Sequence, residues 1–190
     1  MTEKKRFQIP RAYKTLLALA VVIGPITWLT FTEDGQRRTD LMLLGFMDEP
    51  FVEMRLDTLA SAATEDQVRE FLPKVQWQCR NARSAFGERS CTAAIGAFND
   101  VPARYLVLYY DANALQAMKV VYREGYHRFL LTQLNEMLGK GENGAGGVTQ
   151  WKTERGLVLM PREAGESEGE LSLMWLSAER ALRLGESGRS

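Results

Sequence analysis

Two cysteines, one histidine and a carboxylate-rich loop are the residues of this 190-residue chain whose types suit chemistry. Cys79 and Cys91 enclose a segment containing Asn81, Ser84, Gly87 and Ser90. Turn-rich composition between two apolar runs predicts a hairpin closed by a disulfide, whereas a redox or metal pair would want Cys-x-x-Cys or histidines nearby. His127 is the only histidine, and it stands one position off the apolar stripe of a helical segment. That position predicts a side chain flanking the core, with no second histidine or nucleophile motif to work with. Residues 163–170, EAGESEGE, are acidic but punctuated by glycine, and read as a solvated turn rather than a calcium loop. Residues 141–147, GENGAGG, lack the Lys-Ser/Thr of a phosphate loop and do not open onto a helix. The sequence therefore assigns no catalytic residue, no cofactor-binding residue and no metal ligand, and the protein is expected not to be an enzyme.

What the sequence does assign is a place. Residues 15–31 are uncharged and follow a basic leader with Lys4, Lys5, Arg6, Arg11 and Lys14. Such a run gives roughly 25 Å of helix against a hydrocarbon core of about 30 Å, with Tyr13 and Trp28 near the interfaces and Lys14 able to snorkel. Pro25 is expected to kink it. A cleaved signal peptide would end in small residues, but Trp28, Leu29 and Phe31 occupy that side, so a retained anchor is predicted. Basic residues outnumber acidic ones before the span, while Arg37 and Arg38 after it are diluted by Glu33, Asp34 and Asp40. The amino terminus is thus expected in the cytoplasm and the remainder in a bacterial periplasm, as a single-pass inner-membrane protein. An oxidising compartment agrees with the disulfide.

The expected organisation is a cytoplasmic leader over residues 1–14, a transmembrane anchor over 15–32, a linker and membrane-proximal segment over 33–50, a periplasmic domain over 51–184 and a disordered tail over 185–190. Within the linker, residues 41–46, LMLLGF, are too short to span and too apolar to leave in water. They belong at the membrane surface, on the domain or on a partner. Formal net charge is +0, which gives no basic footprint for nucleic acid.

The domain reads as α+β, an antiparallel sheet with packed helices. Residues 51–56 alternate apolar and polar as a half-buried strand does. Thr64-Glu65-Asp66-Gln67 has the form of a capping box, with Val68, Phe71 and Leu72 on one helical face and Pro73 as the stop. Strands are predicted over 75–79, 91–98, 105–110 and 115–122, the last two joined by a tight turn at Asn113. Gly125 opens a helix carrying Tyr126, Phe129, Leu130, Leu134, Met137 and Leu138, and Gly139 caps it. Strands follow over 148–152, 157–160 and 171–176, then a short helix over 178–184.

A helix followed by a Gln-Trp strand occurs twice, with Gln76-Trp77 and Gln150-Trp151 in corresponding places. In this order of elements, residues 64–176 resemble the helix-then-β-meander modules of beta-lactamase inhibitor proteins and outer-membrane assembly lipoproteins, some of which occur as tandem pairs. The resemblance implies two tandem α-βββ modules and a contact function. The chain departs from the lipoproteins in having an anchor helix in place of a lipidated cysteine.

Residues 105–110, YLVLYY, are apolar at every position, so both faces of that strand need cover. A helix covers one. The other is expected to meet another envelope protein, with Tyr109, Tyr110, Met118 and Trp151 as candidate contacts. The preferred reading is a protein-binding accessory subunit of an envelope complex. Its rivals are a small-ligand sensor, which needs an apolar pocket with a few polar groups, and a tethered hydrolase, which needs two converging carboxyls.

Overall fold

The computed structural model describes residues 10–59, 63–164 and 170–187. The leader before residue 10, residues 60–62, residues 165–169 of the acidic run and residues 188–190 of the expected tail lie outside the described residues. The chain divides into two compact units, Met1–Thr39 and Asp40–Ser190.

In the first unit, α1 spans Arg11–Phe31 and continues through Pro25. Its stretch Ala12–Phe31 is long and apolar enough to cross a bilayer, and none of it is buried in protein. Hydroxyls satisfy its backbone where it ends: Thr30 Oγ1 donates to the Ile26 carbonyl at 2.8 Å and Thr32 Oγ1 to that of Trp28 at 2.7 Å.

The expected linker is instead a second helix, α2, Glu33–Phe46. Thr32 breaks α1 with an extended backbone and then caps α2, accepting from the Gly35 amide at 3.0 Å. Glu33 and Asp34 occupy the first turn, where acidic side chains favour a helix, and Asp34 takes Arg37 and Arg38, each at 2.8 Å. Those two arginines hold the Asp34 carboxyl below its ordinary range.

The second unit is α+β, and its described residues contribute to a mixed ten-stranded sheet. After β1 (Phe51–Val52) come α3 (Glu65–Phe71), β2 (Gln78–Ser84), β3 (Gly87–Ala94), β4 (Ala97–Phe98), β5 (Val101–Asp111) and β6 (Ala114–Arg123). Then follow α4 (His127–Leu138), β7 (Glu142–Asn143), β8 (Val148–Thr153), β9 (Gly156–Pro161), β10 (Glu170–Ser177) and α5 (Ala178–Ser187). Two antiparallel meanders, one after α3 and one after α4, meet where β6 pairs with β10. The small parallel element is β1 against β4.

Local chemistry explains these boundaries. Both halves of the capping box form at α3: the Gln67 amide donates to Thr64 Oγ1 and the Thr64 amide to Gln67 Oε1. Ala112 and Asn113 adopt φ of 47° and 63°, as the two-residue hairpin between β5 and β6 requires. Gly139, at φ 83°, ends α4. The 51–56 segment pairs over only two residues, yet Val52, Met54 and Leu56 are buried and their neighbours are exposed. Asn99 holds it there, its side chain bonding both the amide and the carbonyl of Met54.

Three expectations change. The first strand of the disulfide hairpin is β2, running through the polar stretch 78–84 rather than over 75–79. Phe71, expected in the core with Val68 and Leu72, is 68% exposed. The helix α5 also extends past residue 184 to Ser187, into the segment read as tail.

Candidate contact surface

Sheet register sorts the candidate residues. Residues opposite one another in an antiparallel pair project to the same face. Cys79, Cys91, Leu108, Met118, Trp175, Val158 and Trp151 are partnered strand by strand from β2 to β8, so one row of side chains crosses seven strands. This row lies on the core side. The disulfide Cys79–Cys91 stands at one end of it, and Met118, Trp151 and Trp175 are buried. The flanking row of Ala93, Leu106, Val120 and Leu173 is buried too. Val68 and Leu72 of α3 and Leu130 and Leu134 of α4 complete this core.

Three of the four expected contact residues are therefore misplaced. Tyr110, Met118 and Trp151 do share a face, but it is the inner one, at 2%, 0% and 2% exposure. Trp151 also spends its indole N–H inside the domain, on the Asn135 side chain and the Gly139 carbonyl. Alternation along β5 separates the two tyrosines, Tyr110 falling on the side of Leu108 and Tyr109 on the other. Tyr109 stays outside and partly exposed, while burial pushes the phenols of both tyrosines up.

The outer face is built from the alternate positions. Its central row runs Gln78, Thr92, Val107, Lys119, Met174, Leu159 and Gln150. The row on one side carries Ala94, Tyr105 and Val121; the row on the other carries Ser90, Tyr109, Ala117, Leu176 and Leu157. Phe86 tilts against Tyr109 with ring centroids 5.3 Å apart. The helix α5 lies against β6, β9 and β10, where Ala117 and Leu176 are buried. Ser177 and Arg180 pin that helix: Ser177 Oγ donates to Gln116 at 3.0 Å and Arg180 bonds Asp111 at 3.0 Å. The rest of the face keeps Val107, Tyr109, Met174, Leu157 and Leu159 half-buried and Tyr105 43% exposed. Beside Tyr105 the face deepens into a groove of about 940 Å³ bounded by Met47, Phe51, Lys74, Gln78, Thr92 and Ala94.

A second concavity, about 660 Å³, opens between α3, α4 and the 53–59 segment. Met54, Leu59, Ala63, Val68, Phe71 and Met137 line it, with Asn99 and Gln133 among its polar members and Glu53, Arg55 and Asp100 as charged ones. Its walls come from three separated segments, so no local pattern of residues announces it.

The residues singled out for chemistry are occupied structurally. His127 is buried, with Nδ1 3.0 Å from the Tyr122 hydroxyl and Nε2 3.4 Å from the Arg162 carbonyl. Glu65 comes within 4.8 Å of both cysteine sulfurs. Those sulfurs are bonded to each other, and Glu65 is held by Arg89 at 2.6 Å and Arg69 at 2.9 Å, which keeps its carboxyl below the ordinary range. Arg69 also reaches Cys79 Sγ at 3.1 Å. Sequence reading missed that Gly165-Glu166-Ser167-Glu168-Gly169 has the spacing of a nucleophile elbow. Such an elbow needs a strand running into a helix. Here β9 precedes it and β10 follows, paired antiparallel to each other, and residues 165–169 lie outside the described ones. Compared with protein-family models, with curated proteins and with solved structures, the chain matches none.

Proposed function

We propose that this is a bitopic inner-membrane protein, amino terminus in the cytoplasm, whose periplasmic domain is a protein-binding accessory subunit of an envelope complex. One observation carries the reading. The sheet presents an outer face of Tyr105, Val107, Tyr109, Leu157, Leu159 and Met174 that stays partly open after the helices of its own domain have packed. Aromatic and methionine side chains of this kind are favoured at the centres of interfaces, with Lys119 and Gln150 supplying polar contacts. The apolar helix α1 and the disulfide agree with a tethered domain in an oxidising compartment. The order of helix then meander, given once by α3 with β2, β3, β5 and β6 and once by α4 with β8, β9 and β10, supports two tandem modules. Tandem placement also explains the wide continuous face.

The 660 Å³ cavity favours a second reading, a sensor for a small ligand, because apolar side chains and polar groups of α3, α4 and the 53–59 segment converge on it. A hydrolase draws less support. Among the described residues, each carboxyl that its surroundings shift, Asp34, Asp57 and Glu65, is shifted down by arginines, the opposite of what a general acid needs.

Mild detergent extraction of the full chain, followed by co-purification, tests the reading. A stoichiometric protein partner that is lost in Tyr105→Ser and Tyr109→Ser variants supports it. Retention of the partner by both variants, or a protein that always purifies alone, overturns it.

A further inference from the structure

The second half of α2 is apolar on the side its own domain does not use. Within the second unit, Asp40 accepts from Tyr126 and Arg123, and Leu44 lies close over Gly96, so these two positions face the domain. The opposite positions, Met42 and Phe46, are 59% and 81% exposed, and Leu43 on the flank and Met47 just past the helix end are 50% and 64% exposed. The geometry there is fixed rather than loose. Asp48 turns left-handed at φ 56°, the Glu49 amide closes on the Leu44 carbonyl at 3.2 Å, and the Gly96 amide donates to the Pro50 carbonyl at 2.9 Å. Four large apolar side chains are thus held in water, more than isolated surface residues explain.

We infer that this patch inserts into the interfacial layer of the bilayer and seats the domain on the membrane surface. The inference rests on the anchor reading of α1. If residues 12–31 span the bilayer, the eleven residues from Phe31 to Met42 cannot carry the patch beyond roughly 40 Å from the hydrocarbon edge, even fully extended. A lipid surface is then present at high effective concentration whatever partner the protein has. Composition selects lipid in a particular way. Asp48 and Glu49 flank the patch, no lysine or arginine lies between residues 39 and 54, and Lys74 stands across the neighbouring groove, so attraction to anionic headgroups is not what drives docking. Docking is by apolar insertion, and a neutral bilayer suffices.

The test uses the full chain, its native disulfide intact, reconstituted into phosphatidylcholine vesicles. Single cysteines introduced as Phe46→Cys, Met42→Cys, Leu19→Cys and Phe71→Cys are spin-labelled, and collisions with oxygen and with a water-soluble nickel chelate are measured. All four side chains are exposed in the protein, so the substitutions leave the core intact. The expected result is oxygen-dominated collision at 19, 42 and 46 and nickel-dominated collision at 71. Nickel-dominated collision at 42 and 46 with lipid exposure at 19 overturns the inference while leaving the anchor standing. Shielding of 42 and 46 from both reagents shows a second copy of the chain on the patch and overturns it as well. A label at 19 that collides with nickel overturns the anchor reading, and this inference with it.

Discussion

Removing the disulfide should cost this domain about 3 kcal/mol, and the two ways of removing it should differ by a readable amount. Cys79 and Cys91 are separated by 12 positions, and closing a loop of that size lowers the entropy of the unfolded chain by an amount worth about 3 kcal/mol. Reduction deletes this constraint but leaves both sulfurs in place. The double substitution Cys79→Ala, Cys91→Ala deletes the sulfurs too, and Cys91 is buried in the row that continues through Leu108, Met118 and Trp175. A lost buried atom there adds about 1 kcal/mol of cavity and transfer cost. Equilibrium urea unfolding of the full chain in detergent, followed by tryptophan fluorescence, is the suitable assay, since Trp175 and Trp151 stand in the same row as the disulfide. The expected order of stability is native, then reduced by about 3 kcal/mol, then the double variant by about 4 kcal/mol. Losses under about 1 kcal/mol for both forms would refute the loop-closure reasoning and the placement of the bond within the cooperative unit.

Two further outcomes follow from packing and charge. Gly96→Ala should destabilise the domain by about 1–3 kcal/mol, because an added Cβ would lie 2.7 Å from the Glu49 Cβ and 3.1 Å from the Phe51 ring; an unchanged urea midpoint would contradict the close approach. Glu65→Ala should cost about 1–2 kcal/mol by freeing Arg89 and Arg69. Since its carboxyl lies below the ordinary 4.5, that contribution is full above about pH 4.5 and fades as pH falls through the lowered value, so the two proteins should converge in stability in acid. A gap that persists unchanged at pH 2 would contradict the ion-pair assignment.

Where local chemistry decides structure, the sequence was readable. Thr64-Glu65-Asp66-Gln67 announced a helix start, and both of its reciprocal bonds form. The same Thr-Glu-Asp tripeptide at 32–34 starts α2 and was passed over as a linker. Gly35 stands there in place of the glutamine that completes a capping box, and the run 33–40 is polar throughout, so no apolar stripe marks the helix. The disulfide, the 111–114 turn and the α4 cap at Gly139 are likewise short-range features with a recognisable chemistry. Face assignment is different, because it depends on register between strands far apart in sequence. Tyr109 and Tyr110 are adjacent and identical in type, and strand alternation sends one out and one in; which is which follows only from the register that puts Leu108 in the core row. Met118 looked available until its partner Leu108 and the cysteine beyond it placed it in the core row. Lys119, beside it, was the readable sign that the alternate positions face outward. The polar strand β2 was truncated in the reading because its composition, QCRNARS, reflects an edge position rather than a lack of pairing.

The central claim is that the outer sheet face meets another protein. A photoreactive phenylalanine analogue placed at Tyr105, Tyr109 or Met174 in the full chain, expressed in its native membrane and irradiated, tests it directly. The same analogue at Phe71, on α3, and at Phe46, on α2, serves for comparison. The account predicts one discrete protein adduct shared by the three outer-face positions and absent from Phe71 and Phe46. Adducts that appear at Phe71 but at none of the three outer positions, or no protein adduct at any of them, would contradict it.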